Sequence, residues 1–194
     1  MGKIFYIMGK SSAGKDSIYR ELQESLPKLR TITLYTTRPQ RVGEEDGKDY
    51  YFVEEARLQE LSKAGKVIEL RAYDTKCGVW KYFTADDGQI DLKKADYLAI
   101  GTLCSYEKMR QYFGEETLVP IYVEIEDGER LQRALNRERK QEHPQYAEMC
   151  RRFLADSTDF SEENIERAGI RKRFCNENLA VCVQEILNYV EAER

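Results

Sequence analysis

The chain has 194 residues, enough to bury a sizeable core without disulfides or a structural metal. Lys plus Arg number 31 against 35 Asp plus Glu, and the net charge of −4 argues against bulk nucleic-acid binding. Five scattered cysteines without a CxxC pair, and a single histidine (His143), exclude a disulfide scaffold and multi-histidine metal chemistry. Lys3–Met8 is a short apolar run ending at Gly9, as expected of a buried parallel strand and too short for a secretory signal. From Lys15 the period turns helical, with Ile18, Leu22 and Leu26 on one face up to Pro27. Thr31–Thr37 is rich in β-branched residues and predicts a second strand, followed by a charged turn-forming loop from Arg38 to Gly47. Strands are expected at Tyr50–Val53, Val67–Tyr73 and Val79–Thr84 around a helix at Glu55–Ala64, a block that predicts a small lobe. Tyr97–Thr102 and Leu118–Glu124 are apolar runs flanking a helix at Ser105–Phe113. Charged helices follow at Gly128–Gln141 and Gln145–Ala155, then a strand at Arg171–Cys175 and a helix at Glu177–Ala192. This alternation predicts an α/β fold whose parallel sheet is covered on both faces. No run reaches the roughly 18–20 apolar residues of a membrane span, so no membrane partner is expected. The cysteine usage fits a reducing cytoplasm.

Gly9-Lys10-Ser11-Ser12-Ala13-Gly14-Lys15 matches the first seven positions of the phosphate-binding loop G-x-x-x-x-G-K-[ST]. Glycines let successive backbone N–H groups curl around a phosphate, and the helix behind them points its positive end at the same oxygens. Lys15 then stands as a point charge against the β- and γ-phosphates of a nucleoside triphosphate, ATP. The eighth position carries Asp16, with Ser17 behind it. Asp16 has two readings: a hard-cation ligand for Mg²⁺, or a first-turn acid favoured by the helix dipole.

Thr36-Thr37-Arg38-Pro39-Gln40-Arg41-Val42-Gly43-Glu44-Glu45-Asp46-Gly47-Lys48-Asp49-Tyr50-Tyr51-Phe52-Val53 closely resembles the guanylate kinase signature TTR-x-x-R-x-G-E-x-D-G-x-D-Y-x-F-V. The resemblance implies a P-loop nucleotide-kinase fold in one kinase domain. Residues 1–37, 95–126 and 160–194 would form the core, 38–94 an inserted acceptor-binding lobe, and 127–159 a helical lid. It implies transfer of the γ-phosphoryl group of ATP to GMP or dGMP with Mg²⁺, small-molecule nucleotide partners, and a monomer or homodimer. By resemblance Arg38, Arg41 and Tyr50 hold the acceptor phosphate, and two guanidinium forks with a phenol suit a phosphate dianion. Glu69 matches the glutamate that reads guanine N1–H and N2–H. In the lid, Arg137 and Arg152 match the arginines that close over the γ-phosphate, with Arg130 and Arg133 on the same basic stripe. Asn176 matches a residue beside the adenine; a helix N-cap is the other reading of it.

Several positions depart from the family pattern. Leu34 replaces a base-reading serine, Cys77-Gly78-Val79 replaces a Tyr-Gly-Ser or Tyr-Gly-Thr run, and Gly101 ends a strand that lacks the family's acid. Trp80 and Tyr82 either stack on the acceptor or pack within their strand. Gly14-Lys15-Asp16-Ser17 also resembles the loop of ribose 1,5-bisphosphokinases, which implies a second acceptor class. A non-enzymatic guanylate-kinase-like binding module is a third class, one whose members commonly lack the lysine present here at Lys15.

Overall fold

The computed structural model describes residues 2–75 and 78–194. In chain order the elements are β1 (Ile4–Met8), α1 (Lys15–Ser25), β2 (Arg30–Thr31), β3 (Tyr35–Thr36), β4 (Tyr51–Phe52) and α2 (Glu55–Lys63). They continue with β5 (Val67–Thr75), β6 (Gly78–Ala85), β7 (Tyr97–Ile100), α3 (Leu103–Phe113), β8 (Leu118–Glu124) and α4 (Asp127–Glu138). The chain closes with α5 (Tyr146–Asp159), α6 (Glu162–Arg167), β9 (Arg173–Cys175) and α7 (Leu179–Glu193). Among the described residues no helix is long and apolar enough to cross a membrane.

Five strands form a parallel sheet in the order β2-β7-β1-β8-β9. All five residues of β1 are buried, as a strand covered on both faces requires. Its side chains alternate between two cores. Phe5 and Ile7 pack with Ile18 and Leu22 of α1 and Ile186 and Val190 of α7. Ile4, Tyr6 and Met8 pack on the other side with Leu103, Tyr106 and Met109 of α3 and Ile165 of α6. The loop after β1 therefore emerges at the carboxyl edge of the central strand, with a neighbour on either side.

The second sheet has the order β4-β3-β6-β5 and is mixed. Tyr35, Phe83, Leu58 and Leu61 make a small separate core beneath α2. A bulge between Val67 and Glu69 turns β5. Val67 stays with that small core, while Ile68 reaches the core under α3, so the two sheets share β5 as a seam. The strand expected over Thr31–Thr37 is instead split. Arg30–Thr31 pairs with β7 in the first sheet, whereas Tyr35–Thr36 pairs in the second. Between them Thr33 N–H donates to Gln89 Oε1 rather than to a ladder, which lets the chain change sheets there. The helix α6, absent from the sequence expectation, is capped by Ser161, whose side chain accepts from Asn164 N–H.

Gly101 sits just past β7, against Tyr6. The buried Tyr6 hydroxyl shares a 2.6 Å hydrogen bond with Ser105 Oγ. A Cβ on Gly101 would lie 2.1 Å from Tyr6 Oη and 2.8 Å from Ser105 Oγ. Gly101→Ala is therefore expected to destabilise the fold by about 1–3 kcal/mol, as overpacking does, read as a lower urea midpoint. Adding Tyr6→Phe, which removes the obstructing oxygen, should recover part of that loss; no recovery would locate the constraint elsewhere.

Candidate active site

The loop from Gly9 to Gly14 rests on positive φ at Ser12 (+65°), and at Gly9 (+152°) and Gly14 (+92°). A Cβ on Gly9 would stand 2.1 Å from Val123 O, and one on Gly14 2.1 Å from Asn176 Nδ2, so neither place accepts a side chain. Asn176 Nδ2 donates to Ala13 O at 2.7 Å and ties the loop to the end of β9. The cap of α7 is Asn178, which accepts from Val181 N–H and leaves Asn176 to the loop. Arg133 adds a second strut, donating to Asn176 O at 3.1 Å. Ser12 Oγ is buried without a hydrogen-bond partner among the described residues.

Lys15 Nζ folds back to donate to Lys10 O at 2.9 Å, and Lys10 Nζ reaches Asp127 at 3.3 Å. Burial pushes the Lys15 ammonium below the usual lysine range, while the nearby charges of Asp16 and Asp156 oppose that shift. Asp16 and Ser17 are exposed on the first turn of α1. Asp156, in the last turns of α5, accepts from Ser11 N–H at 2.8 Å. A carboxylate thus occupies one of the amides of this loop. Asp156 lies four residues beyond Arg152 on one helix face, a spacing that would have pointed to it.

Arg130 was visible in the sequence only as part of the basic stripe, and it lies where α4 and α5 meet the Gly9–Gly14 loop. Its side chain is 1% exposed, bonded to Asp127, Ser11 O and Asp156, and its guanidinium lies 3.8 Å over the Phe153 ring. Its Nη2 has no partner among the described residues. Asp127 three residues earlier was the available signal for this clamp.

A cavity of about 460 Å³ opens between the loop and the second sheet. Lys15, Asp16, Arg41, Tyr50, Arg152 and Asp156 all line it, and so do Leu34, Trp80 and Tyr82. Burial raises the Tyr50 phenol above its usual pKa, so it stands as an O–H donor. An adjoining cavity of about 310 Å³ is lined by Ser11, Ser12, Arg137 and Arg130, with Arg41 and Arg152 shared between the two. Arg152 is 61% exposed and donates to Glu148, which Arg151 also holds, so the Glu148 carboxyl falls to about 2.

Two expected contacts differ. Arg38 does not face the cavity: its guanidinium closes in both branches on Glu44 at 2.7 and 2.9 Å, and its Nε donates to Tyr82 Oη. The signature's own glutamate consumes it, and Arg38 in turn holds the Glu44 carboxyl below its usual range. Glu69, expected at a base edge, is instead enclosed. Its side chain is 0% exposed and is bonded by Arg71 and Thr84. Val79 is 52% exposed, and Cys77 lies outside the described residues. The described residues hold no cluster of three or more His, Cys, Asp or Glu suited to a metal. Asp16, exposed at the cavity on the first turn of α1, fits a magnesium ion that draws most of its ligands from phosphate oxygens and water.

Residues 1–78 match the family model for guanylate kinase. The guanylate kinase of Rhodopseudomonas palustris is 40% identical over 78 residues, which are 40% of this chain and 36% of that protein. The one from Thermotoga maritima is 28% identical over 205 aligned positions, covering 100% of this chain and 88% of its own length. The resemblance to guanylate kinases is thus strongest over the first 78 residues and extends along the whole chain at lower identity. The crystal structure of guanylate kinase from Anaplasma phagocytophilum superposes with a TM-score of 0.68 at 20% identity, covering 99% of this chain and 86% of that one, which gives the same fold. The segment shared with the Rhodopseudomonas guanylate kinase spans little more than a third of that relative. At Gly101 the Tyr6 hydroxyl fills the space a side chain would need.

The Asp156 carboxylate competes with an incoming phosphate for Ser11 N–H. At 4 Å in water a unit charge pair is worth about 1 kcal/mol. Asp156→Asn is accordingly expected to tighten triphosphate binding several-fold at low salt, measured by calorimetry. Weaker binding would mean that the carboxylate assists the ligand.

Proposed function

We propose that the protein is a nucleoside monophosphate kinase that transfers the γ-phosphoryl group of ATP, with magnesium, to GMP or dGMP. In this reading 38–94 is the acceptor-binding lobe, 127–159 the lid and the remainder the core, acting on free nucleotides in the cytoplasm. The supporting observation is the 460 Å³ cavity, which joins the lysine of an amide-lined anion loop to the Arg41 and Tyr50 pair on the opposite wall. Two phosphate-binding groups facing one volume suit in-line transfer between two phosphates.

The donor triphosphate lies along Gly9–Ser17, its oxygens on backbone N–H groups and at the amino end of α1. Asn176 keeps this loop in shape and stands at the edge proposed for adenine. Magnesium, when bound, neutralises charge on the transferring phosphates. Arg41 and Tyr50 orient the acceptor phosphate, and Arg38 braces their loop through Glu44. An acceptor oxygen, already anionic, forms the new bond to γ-phosphorus as the bond to the β-bridging oxygen breaks and ADP leaves. No general base is required. Lys15, Arg137 and Arg152 balance the charge spread over the equatorial oxygens while the lid excludes water.

Lys15 is also a structural liability, because its ammonium is half-buried and loses hydration on folding. A lysine whose folded pKa is depressed binds fewer protons folded than unfolded, so at neutral pH its charge disfavours the fold. Lys15→Met is expected to lower kcat for ADP release from ATP and GMP by about 10²-fold or more. The melting temperature should stay equal or rise. Turnover near the native rate would remove Lys15 from the chemistry, and a lowered melting temperature would make its role architectural.

A further inference from the structure

The acceptor end of the cavity is lined by a group that the family signature does not contain. The bulge in β5 sets Glu69 opposite Thr84. Glu69 Oε1 accepts from Thr84 Oγ1 at 2.9 Å and from Arg71 Nη2 at 3.2 Å, and Oε2 accepts from Arg71 Nε at 3.0 Å. With the Glu69 side chain 0% exposed, no N–H group of a ligand reaches either oxygen. Arg71 lies two residues on, on the same strand face, and its side chain is 14% exposed and lines the cavity beside Tyr50, Tyr73 and Tyr82. Its charge is near enough to Tyr50 to bear on that phenol. Two of the five guanidinium donors are held by Glu69, which fixes the plane of the group.

We infer that Arg71, rather than Glu69, meets the distal end of the acceptor, and that it selects a group presenting hydrogen-bond acceptors in place of N–H donors. This rests on the kinase reading above and sharpens its substrate class. Two chemistries supply such a group: the O6 and N7 edge of a 6-oxopurine, which arginine pairs with in bidentate fashion, and a second phosphate on a sugar bisphosphate. A carboxylate reading N1–H and N2–H depends on the guanine amino group. An arginine reading O6 and N7 is indifferent to that amine and opposed by the amino group of adenine.

The experiment measures ADP release by the native chain with GMP, IMP, AMP and ribose 1,5-bisphosphate. IMP within about threefold of GMP in kcat/KM, with AMP lower by about a hundredfold, supports Arg71 on a 6-oxopurine edge. Preference for the bisphosphate over every nucleotide by a similar factor supports Arg71 on a second phosphate. GMP favoured over IMP by thirtyfold or more overturns the inference and leaves the kinase intact, and so does AMP matching GMP. No transfer to any of the four overturns both. The double variant Glu69→Gln with Arg71→Gln keeps an uncharged buried pair in place. It is expected to raise the acceptor KM at least tenfold with the KM for ATP unchanged; an unchanged acceptor KM also overturns the inference. Should that variant fail to fold, the native-chain panel decides alone.

Discussion

Asn176 donating to the Ala13 carbonyl is the shortest of the bonds that hold the loop from outside, beside Asp156 on Ser11 N–H and Arg130 on Ser11 O. Within the loop Ala13 N–H donates to Lys10 O at 3.3 Å. Its curvature is set from outside: Val123 O presses on Gly9, Asn176 on Gly14, and Arg133 on Asn176. Each prop comes from an element that follows in chain order, from β8, α4 or the end of β9. The shape of the loop is thus a property of the assembled parallel sheet rather than of the first 25 residues alone.

Charge is placed around this loop at a cost that packing alone would not justify. Arg130 is almost wholly buried, Glu69 is enclosed with Arg71, and Arg38 is sealed against Glu44. Buried ion pairs are frequently no better for stability than apolar residues of the same size. Their effect here is to fix directions. Glu44 fixes the loop that carries Arg41, Glu69 fixes the plane of Arg71, and Asp127 with Asp156 fixes Arg130 against the phosphate loop. The positive side chains that remain open to the cavity therefore stand on a frame of others that are not.

Most of the fold could be read from local pattern. The strand–glycine–helix sequence around Lys15 announced β1 and α1, and the apolar runs at Leu118–Glu124 and Tyr97–Ile100 announced buried parallel strands. What escaped was decided across long separations. Nothing local in Thr31–Thr37 reveals that Gln89 will take the Thr33 amide and divert the chain into another sheet. Asn176 and Asn178 look alike as caps until the loop is folded beside one of them. In the site, residue types were legible and their partners were not. Arg38 matched its motif, and so did the Glu44 that occupies it. Glu69 matched as well, while Arg71 two residues later turned it inward.

The contact between Tyr6 and Gly101 has a bearing on how such a chain can change through time. An acidic side chain cannot be placed at Gly101 while the Tyr6 hydroxyl occupies its volume. Nor can Tyr6 lose its ring without leaving a void beneath Ser105 and Tyr106. The order of change is therefore constrained: Tyr6→Phe, which keeps the ring and gives up the hydroxyl, has to come before any side chain at Gly101.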